Sequence, residues 1–334
     1  MSVKLKKLRD QVIVITGASS GIGLATARMA AARGARLVLA ARNTDAIKHV
    51  CQEIHDKGGE AFPVVADVAD EEAMERLADV ANRHLGGFDT WVNNAGVSIY
   101  GRMEDVPIED ERRLFETNYW GVVIGSRIAA RHLRQRGGAL INLGSIVSDF
   151  SVPLQGAYCA SKHAVKGFTD ALRMELEAEG APVSVTLIKP GAINTPYDAH
   201  AENYMEKEPS LPPPVYAPEL VARAILHAAE HPVRDLYVGG AGRMMSLMGI
   251  MAPRLTDYVV EKTMISAQQR RRPAAQRPHA LYSPANDESE RSPMNNYWTR
   301  EHSLYTAAHL HPLLSLAIGA GVAAAAAAAF YPRR

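Results

Sequence analysis

The sequence at residues 16–23 is Thr16-Gly17-Ala18-Ser19-Ser20-Gly21-Ile22-Gly23. It follows a short apolar run at residues 11–15 and precedes an alanine-rich helical pattern at residues 24–33. A strand, a glycine-rich turn and a helix in this order are typical of a phosphate site, because glycines admit a pyrophosphate to the backbone and the helix N-terminus offers unpaired N–H groups. The stretch therefore predicts a dinucleotide site, with a glycine turn that holds no ligand as the alternative.

The alternation of strand and helix continues to residue 240. Apolar runs typical of buried strands recur at residues 36–40, 61–66, 88–92, 139–144, 183–188 and 235–238. Helical patterns separate them at residues 43–57, 70–84, 108–135 and 218–230. This order predicts an α/β fold, a Rossmann-like doubly wound parallel sheet of about seven strands with helices on both faces.

The end of the second predicted strand carries no acidic residue. A carboxylate there would accept hydrogen bonds from a ribose 2′-OH. The chain instead has Ala41, followed by Arg42 and Asn43. A guanidinium without that carboxylate suits a 2′-phosphate, so the sequence favours NADP(H) as the cofactor, with NAD(H) as the alternative. A solvated loop charge is the simpler interpretation of Arg42.

A phenol and an ammonium lie four residues apart in Tyr158-Cys159-Ala160-Ser161-Lys162, and hence on one face of a helix. A nearby ammonium favours the phenolate, so Lys162 is expected to lower the pKa of Tyr158 toward the range useful for proton transfer. Ser145 follows the buried run at residues 139–144, where its hydroxyl can donate to a substrate oxygen. The pattern predicts acid–base chemistry at Tyr158, against the alternative of a chance helical pair.

Two asparagine positions complete the candidate site. Asn93-Asn94-Ala95-Gly96 follows a predicted strand, at the sheet edge where ligands bind in open α/β folds. Asn118 lies inside the helical pattern at residues 108–135, where asparagine is a poor helix former. On composition alone, Asn118 is either a satisfied core amide or a helix kink.

Composition excludes several other classes of protein. The 334 residues have 47% hydrophobic and 22% charged residues, as in globular proteins, and a formal net charge of +1 that gives no reason to expect a nucleic-acid partner. Two cysteines specify no disulfide framework, which favours a reducing, cytoplasmic location. The N-terminal residues 1–10 are not typical of a secretory signal peptide, and no metal-ligand cluster appears in the sequence.

These motifs together resemble those of the short-chain dehydrogenase/reductase family, in its Thr-Gly-x-x-x-Gly-x-Gly branch. The resemblance spans about residues 8–240 and includes several independent motifs in the family's order. They are residues 16–23, Asp67, 93–96, Asn118, Ser145, 158–162 and 190–195. The resemblance implies an NAD(P)-binding domain at residues 1–240 and a homodimer or homotetramer.

The resemblance also implies a role for each matching residue. Tyr158 would be the acid/base, Lys162 would lower its pKa and hold the nicotinamide ribose, Ser145 would orient the substrate oxygen, and Asn118 would help hold a water of a proton relay. The implied cofactor-binding residues are Thr16, Gly17, Ser19, Ser20, Gly21, Ile22, Gly23, Arg42, Asp67, Val68, Asn94, Ala95, Gly96, Tyr158, Lys162, Pro190, Gly191, Ile193 and Thr195. Asp67 would contact the adenine, Asn94 the ribose side and Thr195 the carboxamide.

The C-terminal extension (residues 241–334) exceeds the usual family length. Residues 241–302 predict one or two methionine-rich apolar helices at 244–264, then a polar, proline-bearing linker or arm with the cluster Arg270-Arg271-Arg272. Residues 303–334 predict an apolar, alanine-rich helix. Its uncharged stretch at 313–331 is long enough for a membrane anchor, with a helix packed on another subunit as the alternative.

The sequence thus predicts an NADP-preferring oxidoreductase that transfers a hydride between the cofactor and a small-molecule carbonyl or secondary alcohol. Two alternatives stay open. One is a non-catalytic nucleotide-binding sensor or scaffold with the same fold. The other is a membrane-associated reductase of lipid-like substrates. The substrate and the physiological direction are not encoded in any readable pattern.

Overall fold

Seven parallel strands form the central sheet of the computed structural model, which describes residues 3–275, 277–285, 288–294, 297–310 and 315. The strands are β1 (Val12–Thr16), β2 (Arg36–Ala41), β3 (Ala61–Val65), β4 (Thr90–Asn93), β5 (Gly138–Leu143), β6 (Val183–Pro190) and β7 (Asp235–Val238). Their order across the sheet is β3-β2-β1-β4-β5-β6-β7. The predicted doubly wound sheet is confirmed, and its order reverses between β1 and β4, where such folds form a ligand crevice.

Helices cover both faces of this sheet. They are α1 (Gly21–Ala31), α2 (Thr44–Asp56), α3 (Glu71–Leu85), α4 (Ile108–Phe115), α5 (Gly121–Arg136), α6 (Gly156–Ala178) and α7 (Pro218–Glu230). Strand β1 shows why its apolar run is continuous. Ile13 and Ile15 pack into one core with α1, α2 and α7, whereas Val12 and Val14 pack into a second core with α3, α5 and α6.

The helical pattern predicted at residues 108–135 is interrupted in the structure. A five-residue π-helical turn, Glu116–Trp120, lies between α4 and α5 and contains Asn118. Turns of this kind are rare and occur mostly at functional sites. Asn118 therefore lies where the helix is locally widened, and its side chain is fully buried there.

A buried polar network fixes the end of β4. Asn93 donates to Asn142 on β5 at 2.8 Å and to Ser126 on α5 at 3.0 Å. Asn142 in turn donates to Thr169 on α6 at 3.0 Å, and Trp91 donates its indole N–H to Asn93 at 2.7 Å. Satisfied buried networks specify a single arrangement of the elements that they join. This network therefore holds the turn after β4 in a fixed place relative to β5 and α6.

The extension begins with two helices, α8 (Gly240–Met251) and α9 (Pro253–Ala267), which contain the methionine-rich residues 244–264 as predicted. The following residues pack on the domain rather than forming a loose linker. Strand Gln269–Pro273 pairs with Lys207–Pro209, and Thr299–Arg300 pairs with Val215–Tyr216. Backbone hydrogen bonds between paired strands hold this polar stretch in place, because such bonds do not depend on apolar side chains.

Short elements border the ligand crevice at the carboxyl ends of the strands. They are Ile99–Tyr100, paired with Glu202–Asn203, then Ala192–Ile193, paired with Val215–Tyr216, a short helix Tyr197–His200 and a single turn of 3-10 helix at Ile146–Ser148. Another 3-10 turn, Leu8–Asp10, precedes the amino end of β1. Residues 197–216 are thus attached to the domain by the short strands Glu202–Asn203 and Val215–Tyr216.

The last described helix is α10 (Leu304–Leu310). Within the part of the chain that the structure describes, no helix is both long and apolar enough to cross a bilayer. The anchor predicted at 313–331 lies outside the described residues except for Ser315, as does most of the alanine-rich helix predicted at 303–334.

Replacement of Asn142 with leucine is expected to lower the free energy of unfolding by about 2–3 kcal/mol, because it removes one hydrogen-bond partner from each of the buried Asn93 and Thr169 side chains. Urea denaturation measures this change. Asn82→Leu on the exposed face of α3 is the control and is expected to change stability by less than about 0.5 kcal/mol. Equal stability of Asn142→Leu and the wild type would show that the network does not stabilise the fold.

Candidate active site

A cavity of about 370 Å³ opens at the carboxyl ends of the central strands. Eighteen of the predicted site residues line it. They are Gly17, Ser19, Ser20, Gly21, Ile22, Arg42, Asp67, Val68, Asn94, Ala95, Gly96, Ser145, Tyr158, Lys162, Pro190, Gly191, Ile193 and Thr195. The other three, Thr16, Gly23 and Asn118, lie behind the cavity wall and support it. The structure therefore brings the predicted residues together in one place.

In the glycine turn, residue 23 lies so close to the backbone of residue 17 that only glycine fits there. Gly17 has a φ of +65°, and a Cβ atom on Gly23 would lie 2.1 Å from the Gly17 carbonyl oxygen. No side chain fits at that distance, so glycine is required at residue 23. The tight turn aims the N-terminus of α1 at the cavity. There the Gly21 N–H donates to the carbonyl of Ser289 in the extension, at 2.9 Å.

Hydrogen bonds join this turn to the one after β4. The Thr16 hydroxyl accepts from the N–H groups of Asn94 and Ala95 at 3.1 and 3.2 Å. The Asn94 amide donates to the carbonyls of Thr16 and Gly17 at 2.9 and 3.0 Å. In this structure the Asn94 Nδ2 group is thus a brace for the glycine turn. The role predicted for it at the cofactor ribose stays a prediction.

Tyr158, Ser145 and Lys162 meet on the wall formed by α6 and the end of β5. Helix α6 places the Lys162 Nζ 5.7 Å from the centroid of the Tyr158 ring. That Nζ donates to the Leu143 carbonyl at 2.8 Å, and Lys162 is buried. Ser145 accepts from the Val147 N–H at 3.3 Å and lines the same cavity as Tyr158. The two hydroxyls can therefore contact one substrate oxygen.

The expectation of a lowered Tyr158 pKa is wrong for this structure. Burial raises the pKa of Tyr158 to about 12, although the neighbouring Tyr197 and Ser145 hydroxyls oppose the rise. Burial also lowers the pKa of Lys162 to about 8, because its charge faces no carboxylate. The sequence placed the two residues on one helix face correctly. It did not show that the cavity wall removes both groups from water.

Asn118 is fully buried and its amide joins three elements. Its Oδ1 accepts from the Val97 N–H at 2.8 Å, and its Nδ2 donates to the Val97 carbonyl at 2.9 Å and to Ser161 on α6 at 3.2 Å. A Cβ on Gly96 would lie 3.4 Å from Asn118 Oδ1 and 3.9 Å from Lys162 Nζ. Because Gly96 has no side chain, the space between Asn118 Oδ1 and Lys162 Nζ stays unfilled.

The far end of the cavity is electropositive around one carboxylate. Asp67 is paired with Arg113 and accepts from the Ala69 N–H at 3.0 Å. Burial would raise the pKa of Asp67, but these hydrogen bonds and the charges of Arg113 and Arg42 lower it. Burial lowers the pKa of the Arg42 guanidinium. This carboxylate therefore stays ionised at neutral pH.

Part of the extension covers this end; residues 280–285 and 288–292 are called the covering segment below. Arg42 donates to its carbonyl oxygens at Ala280, Leu281, Tyr282 and Ser283. The predicted nucleotide-binding arginine is therefore neither a solvated loop charge nor free of other partners. Carbonyl oxygens of the same chain surround it.

The sequence placed residues 146–155, 197–216 and the extension at the pocket but singled out no individual residue among them, and it did not indicate Ser98. A polar group of Ser98, Gln155 and Tyr197 lies beside Tyr158, and an apolar group lines the outer part of the cavity. The apolar group contains Phe150, Val152, Leu211, Met245 and Met264. Tyr197 directly follows the 190–195 motif and Pro196, which is the one signal that pointed to it. Among the described residues, no cluster of three or more His, Cys, Asp or Glu is placed to hold a metal ion.

A doubly wound parallel sheet, a glycine turn at its switch point and a tyrosine–lysine pair on the facing helix define a nicotinamide-dinucleotide oxidoreductase. Residues 11–206 match the family described as short chain dehydrogenase. The chain therefore belongs to the short-chain dehydrogenase/reductase family and is an oxidoreductase.

The similarity to known proteins extends over most of the chain. The uncharacterized oxidoreductase YxnA of Bacillus subtilis (strain 168) is 50% identical over 330 residues, which cover 98% of this chain and 92% of the relative. A short-chain dehydrogenase/reductase from Burkholderia phymatum in complex with NAD has a TM-score of 0.66 and 26% identity, and covers 76% of this chain and 96% of its own. The structure of L-sorbose reductase from Gluconobacter frateurii, in complex with NADPH and L-sorbose, has a TM-score of 0.61 and 26% identity. The match covers 72% of this chain and 98% of the reductase chain.

Replacement of Lys162 with methionine is expected to raise the free energy of unfolding by about 1–2 kcal/mol at pH 7, because it removes a buried charge at the loss of one hydrogen bond. The gain should shrink as the pH rises from about 8, the pKa of Lys162 in the folded protein, to 10.5, its ordinary value. Over that range the unfolded wild type binds more protons than the folded wild type, which stabilises the wild type.

Urea denaturation at several pH values measures this difference. Lys48→Met on the exposed face of α2 is the control and should change stability little at any pH. A loss of stability in Lys162→Met at pH 7 would contradict the assignment of a buried, unpaired charge.

Proposed function

We propose that this protein is an NADP-preferring oxidoreductase that interconverts a carbonyl and a secondary alcohol, with Tyr158 as general acid/base. The observation that carries the proposal is the meeting of Ser145, Tyr158 and Lys162 on the wall of the cavity into which the glycine turn points. The intact set also speaks against the sensor or scaffold alternative, because a protein without turnover has no need of a buried ammonium beside a phenol.

The cavity fits a nicotinamide dinucleotide. Its glycine turn excludes a Cβ at residue 23, and its far end holds Asp67 and Arg42. Residues 17–22 would hold the pyrophosphate, Asp67 and Val68 the adenine, residues 94–96 with Lys162 the ribose beside the nicotinamide, and residues 190–195 the carboxamide. The cofactor would supply or accept the hydride.

The chain's own residues would manage the proton. A Tyr158 pKa of about 12 keeps the phenol protonated at neutral pH, so Tyr158 can give a proton to a carbonyl oxygen during reduction. The Ser145 hydroxyl would donate a hydrogen bond to the same oxygen as charge develops on it. Alcohol oxidation needs the phenolate instead, so this direction should be favoured by high pH. At neutral pH the resting Tyr158 is therefore in the protonation state that carbonyl reduction requires.

The preference for NADP rests on Arg42 at the end of β2, where the chain has no carboxylate. A 2′-phosphate would offer charged oxygens in place of the carbonyl oxygens that Arg42 now contacts, and charge-assisted bonds are roughly twice as strong as neutral ones. The neighbours described above include one in complex with NAD and one with NADPH, so the family fold admits both cofactors.

A second proposal concerns the substrate class. The apolar side chains of Phe150, Val152, Leu211, Met245 and Met264 line the outer cavity. This lining favours a carbonyl compound with a bulky apolar body, such as a steroid, a retinoid or a fatty acyl derivative, over a sugar. Helices α8 and α9, which supply Met245 and Met264 to this lining, also carry an apolar row of exposed residues, namely Met244, Leu247, Ile250, Met251, Leu255 and Tyr258.

Cytoplasmic location and assembly into a homodimer or homotetramer are also parts of the proposal. The two cysteines are free and buried, which agrees with a reducing compartment. The apolar row on α8 and α9 is suited to contact with a second subunit or with a membrane surface that delivers lipid-like substrates. Sedimentation of the full-length chain with and without vesicles would separate these two uses.

Tyr158→Phe is expected to abolish turnover and to leave cofactor binding largely intact, because it removes the proton donor and keeps the ring. NADPH oxidation against ketones, aldehydes, steroids and acyl-type substrates measures turnover, and NADPH fluorescence titration measures binding. Tyr258→Phe, an exposed phenol on α9, is the control and should keep full activity. Retained activity in Tyr158→Phe would place the proton donor elsewhere. Cofactor binding by the wild type without turnover on any substrate would favour the scaffold alternative.

Arg42→Asp is expected to shift the ratio of kcat/KM values from NADP toward NAD by about 100-fold or more, since it replaces a 2′-phosphate partner with a repelling charge. The ratio separates this effect from the general loss of the contacts with the covering segment. Arg36→Asp, at the opposite end of β2, makes the same change of charge and should leave the ratio unaltered. An unaltered ratio in Arg42→Asp would contradict the 2′-phosphate assignment.

A further inference from the structure

The turn that carries Ser145 lies just beyond the end of a strand pair. Strands β5 and β6 pair as far as Leu143, and the Gly144 N–H still donates to the Ile188 carbonyl at 2.8 Å. Ser145 is the next residue, and its N–H donates within the turn instead, to the Ser148 hydroxyl at 3.2 Å. The position of Ser145 relative to the sheet therefore depends on contacts other than the strand pairing.

Hydrogen bonds within the turn join Ser145 to Asp149. The Ser145 carbonyl accepts from the Ser148 N–H at 3.0 Å, and the Ile146 carbonyl accepts from the Asp149 N–H at 3.2 Å. The Ser145 hydroxyl accepts from the Val147 N–H at 3.3 Å. Residues 145–149 are thus hydrogen-bonded as one unit, so a constraint on Asp149 is passed to Ser145.

A buried ion pair holds Asp149. Its side chain and that of Lys189, in β6, are 2% and 3% exposed. The Lys189 ammonium donates to both carboxylate oxygens of Asp149, at 3.1 and 3.3 Å, and to the Tyr237 hydroxyl at 3.0 Å. Tyr237 lies opposite Lys189 in β7 and donates its hydroxyl proton to Asp149 at 2.8 Å. Two neighbouring strands therefore bind this carboxylate together.

The Lys189 ammonium keeps its charge in spite of its burial. Burial would lower the pKa of Lys189, but the hydrogen bond to Tyr237 and the charges of Asp149 and Asp235 raise it. A buried ion pair adds little net stability, because desolvation offsets the attraction, and its best-attested use is to fix one arrangement of the elements that it joins. The Lys189–Asp149 pair is thus suited to fixing the turn against β6.

Helix α8 of the extension also packs on this turn. A Cβ atom on Gly242 would lie 2.4 Å from Ile146 Cγ2, so the helix backbone approaches the turn closely. The next residue, Arg243, places its guanidinium carbon 4.6 Å from the centroid of the Tyr237 ring. The extension therefore contacts both the turn and the polar cluster that holds it.

We propose that Asp149 is a positioning residue for Ser145, and that its ion pair with Lys189 fixes the turn from which the Ser145 hydroxyl reaches the substrate oxygen. This inference rests on the proposed function of the same site, in which Ser145 donates to that oxygen. The cavity lining includes Ser145 but neither Asp149 nor Lys189, so the pair acts through Ser145 rather than on the substrate. Lys189 directly precedes Pro190, so the same pair joins the Ser145 turn to the segment proposed to hold the carboxamide.

Asp149→Asn is expected to lower kcat about tenfold with the KM for NADPH unchanged, because the amide keeps the size of the side chain but loses the ion pair that orients the turn. NADPH oxidation with the carbonyl compound that the wild type reduces fastest measures both constants. An unchanged kcat in folded Asp149→Asn would overturn the proposal.

Asp170→Asn is the matched control. Asp170 on α6 is also paired with cations, Arg173 at 2.7 Å and Lys166 at 3.1 Å, but these partners lie on α6 itself. Its replacement should lower the thermal midpoint and leave kcat unaltered. Equal losses of kcat in Asp149→Asn and Asp170→Asn would assign the effect to general destabilisation and would contradict the positioning role.

A double-mutant cycle tests whether Asp149 acts through Ser145. The loss of about tenfold in kcat should fall to less than about twofold in the Ser145→Ala background, because the hydroxyl that the turn positions is then absent. Equal losses in both backgrounds would show that Asp149 does not act through Ser145. Tyr237→Phe, which removes one donor to Asp149 and keeps the ion pair, is a milder variant for the same cycle, with an expected loss of about threefold.

A readout without turnover separates this proposal from the proposed function. Amide hydrogen exchange, followed by mass spectrometry of peptides that contain residues 145–149, reports how often the turn opens. Exchange there is expected to be about tenfold faster in Asp149→Asn and unaltered in Asp170→Asn. Absence of turnover in the wild type would refute the proposed function alone, whereas unaltered exchange in Asp149→Asn would refute the positioning role.

Discussion

The pair of hydrogen bonds from the Asn94 amide to the Thr16 and Gly17 carbonyls is the contact on which the site depends. It joins the turns after β1 and β4 at the point where the sheet order reverses, and the missing side chain of Gly23 makes room for it. Behind it, the Asn93–Asn142 network attaches the same turn to β5 and α6, which carry Ser145 and Tyr158. One chain of contacts thus relates the part of the cavity beside the glycine turn to the part that holds Ser145 and Tyr158.

The parts that the sequence predicted well are those set by neighbours in the chain. The continuous apolar run of β1 indicates burial on both faces, and a turn such as residues 16–23 carries its conformational requirement in its own glycines. The spacing of Tyr158 and Lys162 is a property of one helix. For the same reason the number of strands and their positions along the chain were recognisable without any knowledge of how they pack.

The parts that the sequence did not predict depend on distant residues. Whether Tyr158 is a stronger or a weaker acid than free tyrosine depends on how much water reaches it, and elements far along the chain decide that. Residues 270–300 have the polar, proline-bearing composition of a linker. The polar groups of the described ones meet partners such as the buried Asp198, about 70 residues earlier in the chain than Arg270. Composition cannot reveal a partner that the fold supplies.

The Gly21 N–H that points to the Ser289 carbonyl has a consequence for cofactor binding. A phosphate that takes this N–H must displace the carbonyl, and a 2′-phosphate on Arg42 must likewise displace carbonyls of the covering segment. Binding and release of that segment then form one coupled equilibrium. The apparent dissociation constant exceeds the intrinsic one by the inverse of the fraction of molecules in which the segment is released. With the cofactor bound as proposed, the extension would act as an intramolecular competitor, and its strength would set the cofactor concentration at which the protein becomes occupied.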